Sequence, residues 1–155
     1  MRIVDMMSKD LIVAELGART RDEVLGELVT HIAKHVPQVD RDLAHRYLIE
    51  RERIASTGVS PQIAIPHARL ERLDQPVACF GRSREGVEFG ALDKKPTFLF
   101  MTILAPEGVG SGLHLKALAR MSRLFKDTAL RDALLVADGA DTMWTLLLDK
   151  DTTLS

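Results

Sequence analysis

A single cysteine, Cys79, stands in 155 residues, which excludes an internal disulfide framework and any CxxC metal or redox site. Basic charge is not in excess either. Lys and Arg number 21 against 22 Asp and Glu, for a formal net charge of −1. Nucleic-acid binders draw their affinity from neutralising phosphates with surplus basic residues, so no nucleic-acid partner is expected. The longest apolar run, Phe98 to Ala105 with one threonine inside it, falls far short of the roughly 20 residues that cross a bilayer, and direct membrane insertion is not expected. The opening Met1-Arg2-Ile3-Val4-Asp5 carries neither a signal-peptide pattern nor a lipidation motif. These absences predict a cytoplasmic protein.

The composition, 46% hydrophobic and 28% charged, is that of a folded globular chain. At this length about 70% of the unfolded surface can be buried, enough for a core without disulfides. No repeat, low-complexity stretch or Pro/Gly/Ser linker divides the chain, so residues 1–155 are expected to form one domain.

Periodicity outlines the elements. Ile3-Val4 and Leu11-Ile12-Val13 suit a first strand or an irregular lead-in. Thr20-Arg-Asp-Glu23 forms a capping box ahead of Val24, Leu28, Ile32 and Val36 at i+4 steps, a helix closed by Pro37. Asp40 caps a second helix to about Arg53 with Leu43, Tyr47 and Leu48 inward. Ser56-Thr57-Gly58 ends it. The period then shortens: Ile63–Ile65, Val77–Phe80, Val87–Phe89 and Thr97–Leu104 read as strands, the last apolar on both faces like a central strand. Helical spacing returns with His114, Leu118, Met121 and Phe125, and Thr128 and Asp141 are expected caps of two further helices. Helices, then strands, then helices imply an α/β sandwich with a mixed sheet covered on both faces.

Five histidines are candidates for chemistry. His31 and His35 lie four apart on the first helix with Glu27 one turn earlier, yet no third metal ligand is legible, and a solvated helix edge is expected. His45 reads as surface. His67 follows Ile-Ala-Ile-Pro66, where the proline fixes φ and removes a donor. Such a stiff delivery suits a nucleophile or base, and equally a histidine that only bonds a turn. Upstream, Arg51 and the small, hydroxyl-rich Ser56-Thr57-Gly58 can form an anion nest with a guanidinium fork, or merely a helix end with its dipole partners. His114 opens a late helix behind Gly108-Val-Gly-Ser-Gly112, where unpaired N–H groups favour an anion; a core histidine is the other reading. The same glycines resemble a nucleotide loop, but a leucine (Leu113) stands where GxGxxG needs its third glycine. Cys79, in an apolar strand, reads as a core residue.

Taken together, Arg51-Glu-Arg-Ile-Ala-Ser-Thr-Gly-Val-Ser-Pro-Gln-Ile-Ala-Ile-Pro-His67-Ala-Arg69 resembles the signature of the enzyme IIA domains of the bacterial phosphoenolpyruvate:sugar phosphotransferase system, mannitol/fructose class. His114-Leu-Lys-Ala-Leu-Ala-Arg-Met-Ser-Arg-Leu-Phe125 resembles that family's second histidine motif. Pro61-Gln62 departs from the signature, where many members carry glycine.

The resemblance implies a three-layer α/β/α sandwich with a small mixed sheet. It implies that His67 accepts a phosphoryl group through Nε2 from a histidine-phosphorylated, HPr-like carrier protein. Arg51, His114 and groups around Ser56, Thr57 and Gly58 would stabilise the charge, with no cofactor or metal. A free-standing domain with no attached IIB or membrane portion looks more like the nitrogen-regulatory branch, in which protein targets read the phosphorylation state. The alternatives are a sugar-specific IIA component that passes phosphate to a IIB domain and, outside this chemistry, a non-catalytic nucleotide-binding module.

Overall fold

A computed structural model of the chain describes residues 1–108 and 111–154. The lead-in is two 3₁₀ turns, Ile3–Asp5 and Lys9–Leu11, followed by strand β1 (Ile12–Val13). Helices α1 (Arg21–His35) and α2 (Arg41–Ile54) come next, then β2 (Ile63–Ala64), β3 (His67–Leu70), β4 (Val77–Val87) and β5 (Thr97–Pro106). Helices α3 (Ser111–Leu124), α4 (Thr128–Val136) and α5 (Ala140–Thr152) close the fold.

The sheet is mixed. β4 and β5 are antiparallel neighbours, β1 runs parallel to β4, and β2 and β3 both run parallel to β5. β5 is therefore the central strand, as its two-sided apolar sequence predicts; all but one of its residues are buried. Alternation along β4 places helices on both faces. Gly81 faces α1, and a Cβ there would lie 2.8 Å from Leu28 Cδ2, so only glycine admits so close an approach. Phe80 and Arg82 face the other layer: Phe80 stacks on Phe125 with centroids 6.1 Å apart, and Arg82 Nη1 donates to the Leu134 carbonyl at 2.9 Å near the end of α4. The expected α/β/α sandwich is what forms.

Several boundaries differ from the sequence reading. The segments 77–80 and 87–89 are not separate strands; the polar run between them continues β4, with an irregular register between Arg82 and Val87. Backbone pairing with β5 needs no apolar side chains, so no hydrophobic pattern marks it. In α2 the fully inward row is Ala44, Leu48 and Glu52, while Leu43 and Tyr47 are half-buried. Thr20 caps α1 by accepting from the Glu23 amide, but Glu23 takes the Thr20 hydroxyl rather than reaching back to its amide. α4 is capped by Asp127, whose carboxylate accepts from Ala129 and Leu130, not by Thr128. Gly139 precedes α5, and Asp141 lies inside its first turn. Of the two alternatives for the lead-in, Ile3-Val4 takes the irregular one, a 3₁₀ turn, while Ile12-Val13 forms β1.

Candidate functional site

His67 does not end the strand that delivers it; it starts β3, paired with Ile103 of β5. Between β2 and β3 the chain leaves the ladder for two residues, Ile65 and Pro66. The Pro66 carbonyl returns to the sheet by accepting from Ile103 N–H at 2.9 Å. The Ile65 carbonyl accepts from His67 Nδ1 at 2.8 Å. A carbonyl can only accept, so the proton is on Nδ1 and the lone pair is on Nε2. One local bond thus selects tautomer and ring orientation.

The His114 ring lies with its centroid 5.3 Å from that of His67, tilted by 53°. It comes from the first turn of α3, forty-seven positions further along the chain, and is only 7% exposed. The two rings border a cleft of about 420 Å³ lined also by Tyr47, Glu50, Arg51, Ile54 and Arg69. Arg51, in the last turn of α2, anchors Nη1 on the Ala55 carbonyl at 2.8 Å. Arg69 is two residues from His67 on the same strand, so period-two alternation brings it to the same side. That spacing is legible in the sequence, which by itself assigns Arg69 no role. Three carboxylates, Glu50, Glu71 and Glu107, stand on the rim.

Both imidazoles are held neutral. Burial pushes the His67 pKa below its usual value, with Arg51 adding to the effect and the Ile65 carbonyl opposing it. His114 is also lowered, by burial first and then by the fields of His67, Arg69 and Arg51. A cluster of cations around uncharged rings is a setting for an incoming anion.

The structure brings together His67, His114 and Arg51. Ser56, Thr57 and Gly58 do not line this cleft. Thr57 is buried and gives both its amide (3.0 Å) and its hydroxyl to the carboxylate of Glu52, while the Gly58 amide donates to Ser56 Oγ at 3.0 Å. The donors expected to face an anion are engaged instead by Glu52 of α2 and by Ser56.

The other candidates are engaged elsewhere. His31 Nε2 donates to the Asp10 carbonyl, His35 Nδ1 to the His31 carbonyl and His45 Nε2 to the Asp22 carbonyl, while Glu27 accepts from the Gly17 and Ala18 amides. Among the described residues no three His, Cys, Asp or Glu side chains are grouped as metal ligands. Cys79 is fully buried, and burial pushes its thiol pKa up. The glycine-rich loop behind the nucleotide alternative includes Val109 and Gly110, which lie outside the described residues. No helix among the described residues is long and apolar enough to cross a membrane.

The family model for the phosphoenolpyruvate-dependent sugar phosphotransferase system, EIIA 2, matches residues 5–150. The chain belongs to this family. The EIIA 2 chain is 36% identical over 141 residues to the fructose-specific EIIA component of Haloferax volcanii, covering 90% of each. It is 32% identical over 147 residues to the nitrogen regulatory protein of Bradyrhizobium diazoefficiens, covering 95% of each. It also matches the fructose-specific EIIABC component of Bacillus subtilis at 33% identity, but spans only 24% of that longer protein. The crystal structure of nitrogen regulatory protein IIA-Ntr from Neisseria meningitidis superposes with a TM-score of 0.85 at 27% identity, covering 94% of this chain and 98% of that one. As an EIIA 2 chain it is a phosphotransferase component that works through a phosphohistidine.

Proposed function

We propose that His67 is the phosphoryl acceptor, that an HPr-like carrier protein is the donor, and that residues 1–155 act as one cytoplasmic domain of the nitrogen-regulatory branch. The observation that carries the site is the Nδ1–H bond of His67 to Ile65, 2.8 Å long, which leaves Nε2 as the nucleophile beside His114. Nε2 attacks the phosphorus of the donor's phosphohistidine, an N–P bond forms on His67, and the donor's N–P bond breaks with its electron pair returning to the donor imidazole. No proton leaves Nδ1 in the step. The imidazolium-like charge that develops on His67 is met by the Ile65 carbonyl.

Phosphoryl transfer of this kind asks for positioning and charge stabilisation rather than further covalent chemistry. His114 Nδ1 is buried without a hydrogen-bond partner among the described residues. A bare acceptor is cheaper to bury than an orphaned N–H, so its proton belongs on Nε2, where it can donate to the phosphoryl oxygens. Arg51 and Arg69 supply the charge. Ser56, Thr57 and Gly58 would reach the phosphate only if Thr57 released Glu52 and Gly58 released Ser56. In the absence of that release their contribution is to shape the loop.

Incubation with enzyme I, an HPr-like carrier and phosphoenolpyruvate should place one acid-labile phosphate on His67. Efficient labelling of His67→Ala overturns the assignment. The 36% identity to a fructose-specific EIIA component favours a second reading of the same chemistry, onward transfer to a IIB domain. Discharge of the phosphorylated chain by a fructose-type IIB would support it. Phosphorylation-dependent capture of a regulatory target, with no such discharge, supports the nitrogen-regulatory branch.

A further inference from the structure

The two-residue step Ile65-Pro66 has few anchors. Pro66 has no N–H, its carbonyl is committed to β5, and the Ile65 carbonyl is committed to the His67 ring. The remaining polar group, Ile65 N–H, donates to the carbonyl of Thr57 at 3.3 Å. Thr57 is therefore the tether outside the sheet for the residue that orients the nucleophile.

Thr57 is itself held from one side. Its amide donates to Glu52 Oε2 at 3.0 Å and its hydroxyl donates to Glu52 Oε1. Glu52 is only 4% exposed and Thr57 only 6%. Burying a carboxylate is costly unless it is well hydrogen-bonded. Glu52 sits on the inward row of α2 next to Arg51, whose side chain lines the cleft. No lysine or arginine forms an ion pair with it among the described residues. Both carboxylate oxygens are occupied by a single residue of the loop.

We infer that Glu52 is a positioning residue for the nucleophile: through Thr57 and Ile65 it fixes the carbonyl that holds the proton on His67 Nδ1. The inference rests on His67 being the phosphoryl acceptor. The chain of contacts runs from the Glu52 carboxylate to the Thr57 amide and hydroxyl, from the Thr57 carbonyl to the Ile65 amide, and from the Ile65 carbonyl to the His67 ring. Its first and last links come from side chains and its middle link from backbone, so the orientation of His67 depends on a carboxylate that never touches phosphate.

The test combines imidazole ¹H–¹⁵N correlation spectra, which report the tautomer of His67, with rates of phosphoryl acceptance from the carrier. In Glu52→Ala we expect His67 to lose its single Nδ1–H tautomer and the acceptance rate to fall tenfold or more, with KM for the carrier within twofold. Glu52→Gln can accept from the Thr57 amide and donate to its hydroxyl, and should restore the tautomer and most of the rate. An unchanged tautomer in Glu52→Ala overturns the inference, whatever the rate. So does a glutamine variant as impaired as the alanine. Should Glu52→Ala not fold, Thr57→Val decides: it keeps the amide bond and loses the hydroxyl, and a mixed tautomer with a threefold or larger loss supports the inference, while parental behaviour overturns it. If the parent chain takes no phosphate on His67, the proposed function fails, and the tautomer spectra still decide the role of Glu52.

Discussion

His67 and His114 face each other with ring centroids 5.3 Å apart, and both are kept uncharged by burial and by neighbouring cations. Two imidazolium ions at this separation would repel, so the pair is built to work in the neutral form. Protonation of His67 falls on Nε2, because Nδ1 already carries its proton, and so removes the nucleophile. Phosphoryl acceptance should therefore be level at and above neutral pH and fall on acidification, with a His67 midpoint below the usual 6.5. Titration of the His67 ring by NMR checks this directly. Arg51→Ala, which removes a cation that lowers the pKa, should move that midpoint upward. A midpoint above 6.5 in the parent chain contradicts the arrangement.

The same depression makes the fold acid-sensitive. Unfolded, each ring titrates near its ordinary 6.5, whereas in the folded chain both titrate lower. Between those values the unfolded chain binds more protons, so stability is full above 6.5, declines as pH falls through that window, and levels off below the folded values. Glu52, raised by burial from 4.5, has the opposite sense, becoming stabilising as it protonates. A comparison with His114→Asn isolates the histidine part. Urea midpoints measured either side of 6.5 should fall less for the variant than for the parent, and an equal fall would remove His114 from the account.

Arg51 and Arg69 approach the same cleft from different elements, a helix end and a strand. Removing a preorganised charge donor from such a site costs roughly 100-fold in rate when the donor acts on the transition state. Arg51→Ala should slow acceptance by about that factor. Among the described residues its side chain bonds only the Ala55 carbonyl, so the thermal midpoint should stay near that of the parent. Arg69→Ala, on the exposed side of β3, should cost less, about tenfold. Single-turnover rates with matched melting curves separate these effects from unfolding.

The helices and the central strand were legible because each announces itself locally. Asp40 caps α2 as its sequence predicts, and Thr97–Leu104 reads as a two-faced apolar strand and lies at the centre of the sheet. The second half of β4 was not legible, because Arg82 is buried by carbonyls that close α4, 52 to 55 residues away, and nothing in Gly81-Arg-Ser-Arg-Glu signals them. At the site, His67, Arg51 and His114 could be grouped only through the family motif, since forty-seven residues separate the two rings. Thr57 and Gly58 give their donors to protein partners for a local reason. Ala44, Leu48 and Glu52 fall at i+4 steps, so an inward Leu48 carries Glu52 inward with it, and a buried carboxylate claims the nearest donors.

Asp151 is fully buried at the end of α5, where it accepts from Arg120 Nε at 2.7 Å and from the Ile3 amide at 3.1 Å. It thereby joins the first residues of the chain, the helix that carries His114, and the last helix. Removing one partner of a buried pair leaves the other charge without compensation, which costs about 3–5 kcal/mol. Asp151→Ala should lose stability of that order in urea unfolding. Because α3 is anchored at this far end, acceptance measured on the folded fraction should change much less than stability does.

Gln62 adopts φ +70° between Pro61 and β2, a conformation that residues with a Cβ rarely take. Its carbonyl is committed to the amides of Phe98 and Leu99, at 3.1 and 2.9 Å, so the backbone cannot relax away from it. The left-handed region costs about 1–2 kcal/mol for a residue with a Cβ, and glycine gives back about 0.5–1 kcal/mol of that through its greater freedom when unfolded. Gln62→Gly should therefore stabilise the chain by about 0.5–1 kcal/mol, read as a higher urea midpoint at an unchanged slope. The side chain does not line the cleft with His67, so phosphoryl acceptance should be unaffected. A loss of stability in the glycine variant would mean that the Gln62 side chain makes a contribution larger than the strain of its backbone.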